Sequence, residues 1–164
     1  SMSTNSRWQV AKKMEKTCIA ALEEMLAPGA SAQELEIWRH CQAIQEQYLQ
    51  WLTSAERSIL PEVEVEPLVE RQRIWEKISQ GQTQEKTGTD YFWLGRLWQY
   101  LAWLERLESL YKQLAAHTIF PLEQIFFKNL AHGQWLLHRR LSALAQQQHN
   151  LLWEELGFAP FEKL

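Results

Sequence analysis

The chain has 164 residues, 46% of them hydrophobic, and a net charge of −3, enough to bury a core without disulfide or metal staples. Both signs of charge mix along it, four of each over residues 121–164 alone (Lys128, Arg139, Arg140, Lys163; Glu123, Glu154, Glu155, Glu162). No basic face for neutralising phosphates is apparent, so nucleic-acid binding is not expected.

The most apolar run, around Trp93–Leu104, contains Arg96 and ends at Glu105, too short to span a bilayer. Residues 2–17 hold five charged side chains and no secretory apolar run. A cytoplasmic protein is expected, in which Cys18 and Cys41 stay as buried thiols.

A first helix is predicted over Arg7–Leu26, with Ala11, Met14, Cys18, Ala21, Leu22 and Met25 on its inner side, stopped by Ala27-Pro28-Gly29. Ser31 then caps a second helix, and Glu34 stands three residues on, the spacing of a reciprocal capping box. That helix should run to Leu60 with Ile37, Cys41, Ile44, Tyr48, Trp51 and Ala55 as its stripe, folding back on the first as an antiparallel hairpin. Residues 61–66, Pro-Glu-Val-Glu-Val-Glu, read as an extended connector, and a short helix follows Pro67 with Leu68, Ile74, Trp75 and Ile78 as its apolar set. Ser79–Thr89 is a polar, turn-rich loop.

The third long helix, Tyr91–His117, is the predicted centre of the fold. Trp93, Leu97, Tyr100, Leu104, Leu107, Tyr111 and Leu114 are spaced by three and four residues, and Leu94, Trp98, Leu101, Trp103 and Leu110 widen that stripe. Only Gly95, Gln99, Ala102, Arg106, Ser109 and Gln113 are left for water, so the helix needs neighbours on two or three sides. Trp93, Trp98 and Trp103 lie roughly 140° apart in succession and cannot face one membrane surface. Pro121 opens the last helix, expected to reach about Leu156 and stop at Gly157. Its inner stripe is Leu122, Phe126, Leu130, Gly133, Leu137, Leu141, Leu144 and Leu151. The tail, residues 157–164, is non-helical and carries Phe158 and Phe161.

Together these elements predict one all-α domain over residues 2–164, an elongated antiparallel four-helix bundle of two hairpins with one additional short helix. Catalytic chemistry has no motif to stand on. Ferritin-like di-iron sites need Glu-x-x-His pairs on one helix face, and none occurs. Glu36 and His40 share a face, but on the polar side of their helix, and His132 and His138 are about 120° apart around their axis. A metal or tetrapyrrole site built from Glu36, His40, His132, His138 and His149 is the alternative reading; no metal and no cofactor is expected, and no arrangement for nucleophilic catalysis or phosphate binding is present.

The nine tryptophans offer the better lead. Trp135 and Trp153 are five turns apart on the last helix and share a face nearly opposite the leucine stripe, edged by His138, Ser142, His149, Ala131 and Ala145. Tryptophan removes much apolar area while keeping one donor, and is enriched where partners bind. The chain is therefore expected to be a non-catalytic interaction module, an adaptor, chaperone or small subunit. It would bind another protein or a second copy of itself through Trp135, His138, Ser142, His149, Trp153, Phe158 and Phe161.

Overall fold

The computed structural model describes residues 4–26, 30–57 and 91–157. These residues form four α-helices, α1 (Thr4–Met25), α2 (Ala32–Glu56), α3 (Tyr91–His117) and α4 (Pro121–Glu155), and no strand. The expected connector at 61–66, the short helix after Pro67, the loop at 79–89, and Phe158 and Phe161 lie outside the described residues.

The stop and start signals act where local chemistry puts them. The α3 boundaries coincide with expectation, α2 ends four residues before Leu60, and α4 ends at Glu155. Gly157 adopts φ +83°, a conformation only glycine takes at little cost, and its N–H returns to the Glu154 carbonyl at 3.0 Å. The Ser31 hydroxyl accepts the Glu34 N–H at 3.2 Å, closing half of the capping box. The other half does not form. The Glu34 carboxylate is buried and turns to α3, where the Arg96 guanidinium donates to both its oxygens, while Trp38 Nε1 donates to it at 3.1 Å. A fork of charged donors outcompetes one backbone N–H. Ser31→Ala should therefore cost about 1 kcal/mol, read as a lower urea midpoint with an unchanged slope.

Packing runs α1 against α2, α3 against α4, and α1 against α3. Gln9 and Lys12, early in α1, bond Glu56 at the end of α2, whereas Glu23 late in α1 meets Gln42, so α1 and α2 run in opposite directions. The three residues 118–120 between α3 and α4 force the same reversal there. The start of α1 meets the start of α4: Arg7 pairs with Glu123 at 3.1 Å, and the Trp8 ring packs against Phe126 and Phe127 at 5.6 and 4.8 Å. The start of α2 meets the start of α3, where Trp38 sits edge-on to Trp93 and Tyr100 at 5.4 and 5.8 Å. All three rings are buried.

All seven residues of the α3 stripe are buried in one core shared by the four helices. On α1 the buried series is Trp8, Ala11, Glu15, Cys18, Leu22 and Met25, stepping by three and four residues, with a carboxylate where an apolar side chain was expected; Met14 is only partly buried. Trp98, expected to widen the α3 stripe, is half exposed, and Leu122, expected in the α4 stripe, is 68% exposed.

Candidate functional site

Among the described residues, two places hold chemistry that a plain apolar core does not: a buried polar cluster at the middle and exposed apolar side chains along the first half of α4.

The cluster takes one or more side chains from each helix. Glu15 comes from α1, Gln45 and Tyr48 from α2, Tyr100 and Tyr111 from α3, and Gln134 from α4, all fully buried. Gln45 and Gln134 pair through both amide edges, Nε2 to Oε1 at 3.1 and 3.2 Å, and Gln45 Nε2 also donates to the Tyr100 hydroxyl at 2.7 Å. Gln134 Nε2 donates to Glu15 Oε1 at 3.4 Å, and the Tyr111 hydroxyl donates to the same oxygen. Glu15 Oε2 and the Tyr48 hydroxyl have no partner among the described residues. Burial pushes the Glu15 carboxyl up to about 8, and the bond from Tyr111 only partly offsets it. Burial likewise raises the Cys18 and Cys41 thiols and the Tyr48, Tyr100 and Tyr111 hydroxyls. A neutral acid, two amides and two phenols bonded across four helices fix which layers face one another, since sliding any helix would strand buried donors.

This cluster places polar and ionisable side chains among the inner positions beside the expected apolar stripes. Helix periodicity locates a face, but a stripe drawn through apolar residues alone passes over Glu15, Gln45 and Gln134, which lie on it. The signal available was the step of three and four running Ala11–Glu15–Cys18, with Glu15 at an inner position.

The histidines do not converge. Glu36 and His132 are exposed, and His40, His138 and His149 are partly buried at separate places. No group of three or more metal-ligating side chains occurs among the described residues. His138 Nε2 lies 3.0 Å from Glu105 of α3 and its Nδ1 lies 3.2 Å from the Ser142 hydroxyl, while Trp153 Nε1 donates to His149 Nε2 at 2.8 Å.

The expected binding face of α4 is thus divided. Trp135 is 41% exposed, but His138, Ser142, His149 and Trp153 are partly buried, and Ala131 and Ala145 are buried outright. The exposed stripe runs instead through Ile125, Lys128, His132, Trp135, Arg139 and Ala143. At ~100° per residue its centre is turned roughly 80° from the expected face. Trp135 stands on both. Its ring is stacked on His132 at 5.7 Å and covered by the Arg139 guanidinium at 5.6 Å.

The strip continues past the start of α4 into the turn. Ile119, Phe120, Leu122 and Ile125 are 83, 50, 68 and 56% exposed. The turn beneath them is braced. Thr118 Oγ1 donates to Glu123 Oε2 at 2.5 Å and accepts the Phe120 N–H at 3.3 Å, and Gln124 Nε2 donates to the Thr118 carbonyl at 2.8 Å. Glu123 is held in turn by Arg7. Four large apolar side chains are therefore presented to solvent from a backbone that is already ordered.

No described helix is long and apolar enough to cross a membrane. Comparison with protein-family models, with curated proteins and with solved structures returns no match to this chain, so its functional reading rests on these geometries.

Proposed function

We propose that this chain is a non-catalytic protein-interaction module, an adaptor, chaperone or small subunit, acting in the cytoplasm as an elongated antiparallel four-helix bundle. It binds another protein, or a second copy of itself, through the outer surface of α4. The observation that carries this reading is the exposure of Ile119, Phe120, Leu122 and Ile125 above a hydrogen-bonded turn, with half-exposed Trp135 about three turns further along α4. Apolar side chains of this size are normally kept singly on a surface; gathered together they mark a contact site. A rigid presentation lowers the ordering cost of binding. Among the expected residues, Trp135 is the anchor, with Arg139 and His132 setting its ring. His138, Ser142, His149 and Trp153 form the margin of the surface toward α3.

The test is site-specific photo-cross-linking in the cells that make the protein, with the reactive side chain placed at Ile125, at His132 and, as a control, at Lys16 on the outer side of α1. Cross-linked species should form from positions 125 and 132 and not from 16, and Trp135→Ala should weaken them by at least ~10-fold. Equal labelling from all three positions, or none from 125 and 132, would reject the surface.

A further inference from the structure

We infer that the partner of the α4 surface is an acidic amphipathic helix on a different protein and not a second copy of this chain; the inference rests on the reading of that surface as an interaction face. Its basis is a charge asymmetry that segment totals conceal. The chain is acidic overall, yet between Glu123 and Glu154 there is no aspartate or glutamate, while Lys128, Arg139 and Arg140 all fall there. The four acidic residues of the segment lie at its ends.

The structure sorts these charges. Lys128 and Arg139 are exposed on the same stripe as Ile125 and Trp135, eleven residues and therefore about 20° apart around the axis. Neither is neutralised by an ion pair with a described residue; Arg139 is held over the Trp135 ring. From Ile125 to Arg139 the stripe is roughly 20 Å long, which about four turns of a partner helix would cover. Ile125 and Trp135 offer apolar contact along it, and Lys128 and Arg139 interleave with them. A helix with a leucine- or phenylalanine-rich face and glutamates at its margins matches both features, as helix-in-groove recognition requires. Two copies of this face would instead bring four uncompensated cations together, which disfavours the homodimer through α4. Two exposed cations are few for a phosphate backbone or a lipid surface, which draw their affinity from many such charges.

The experiment uses the full chain and three labelled peptides of about 18 residues that share one leucine- and phenylalanine-rich face. Their polar faces are all glutamate, all glutamine or all lysine, and binding is read by fluorescence anisotropy. The glutamate peptide should bind ~10-fold more tightly than the glutamine peptide, and the lysine peptide weakest of the three. In Lys128→Glu/Arg139→Glu the order should reverse, and the wild-type preference should shrink at high salt. Ile125→Ser should weaken all peptides. All three altered positions are exposed, and an unchanged circular dichroism spectrum shows that the variants fold.

Indifference to peptide charge, with binding still lost in Ile125→Ser, overturns the acidic partner and leaves the interaction face standing. Binding unaffected by both Ile125→Ser and Trp135→Ala, or no peptide binding at all, removes the face together with the inference. Light scattering that shows a dimer broken by Ile125→Ser assigns the surface to self-association and overturns the inference. Co-sedimentation with phosphatidylserine-containing vesicles in place of peptide binding assigns it to lipid and does the same.

Discussion

Glu15→Gln should remove a fall in stability that the wild-type protein shows as pH rises from about 4.5 to about 8. The folded carboxyl is raised above its value in the unfolded chain, so the native state holds a proton that the unfolded state has released across this window. The stabilising contribution is complete below the lower value, is lost progressively through the window, and is gone above the upper one. One proton is worth ~1.4 kcal/mol per pH unit, so the whole change is of order 3–5 kcal/mol. Glutamine is nearly isosteric with a neutral carboxyl and keeps an oxygen to accept from Tyr111 and Gln134, the two donors that Glu15 Oε1 satisfies. The variant should equal the wild type near pH 5 and exceed it by a few kcal/mol near pH 9. Urea unfolding at the two pH values measures both. Glu15→Leu makes the complementary point: it strands the Tyr111 and Gln134 donors in the core and should lie about 1–3 kcal/mol below Glu15→Gln at every pH. Parallel pH curves for wild type and Glu15→Gln would mean that Glu15 is solvated and that the central cluster does not exist as described.

Arg96→Met should lower the melting temperature by roughly 5–10 °C, corresponding to about 2–3 kcal/mol. Arg96 is the fork that holds Glu34, whose side chain is only 3% exposed, and it spans from α3 to the cap region of α2. Removing it leaves a buried carboxylate with Trp38 Nε1 as its remaining side-chain donor among the described residues. Buried pairs cost most when one partner is deleted, commonly 3–5 kcal/mol; the lower figure applies here because the Arg96 side chain is 25% exposed and water can reach it. The double variant Glu34→Gln/Arg96→Met removes the orphaned charge and should recover a good part of the loss. If the double variant is as unstable as the sum of the two single ones, the pair is not coupled and the contact is a surface contact.

These two residues also show where periodicity stops being informative. Helix existence, ends and inner faces were legible for α3, whose stripe of seven large apolar side chains is buried without exception. They were legible for the Ser31 cap and the Gly157 stop as well. Each of those depends on neighbours within one or two turns, so the local residue pattern contains the whole cause. For α4 the leucine stripe was found but the outward direction was not. A helix with alanine, leucine and phenylalanine around most of its circumference does not say which arc its neighbours cover.

What the amino-acid order determined by itself, then, is that this chain forms long amphipathic helices, where α3 begins and ends, and which stripe of α3 turns inward. Only the tertiary structure decided that Glu15, Gln45 and Gln134 lie inside, that Glu34 answers Arg96 rather than its own cap, and that Ile125, Lys128 and Arg139 look outward. The physical reason is distance along the chain. Gln45 and Gln134 are 89 residues apart, Glu15 and Gln134 119, and Glu34 and Arg96 62. A polar group is burial-competent only once its partner is in place, and that partner is set by how four separate helices register against one another.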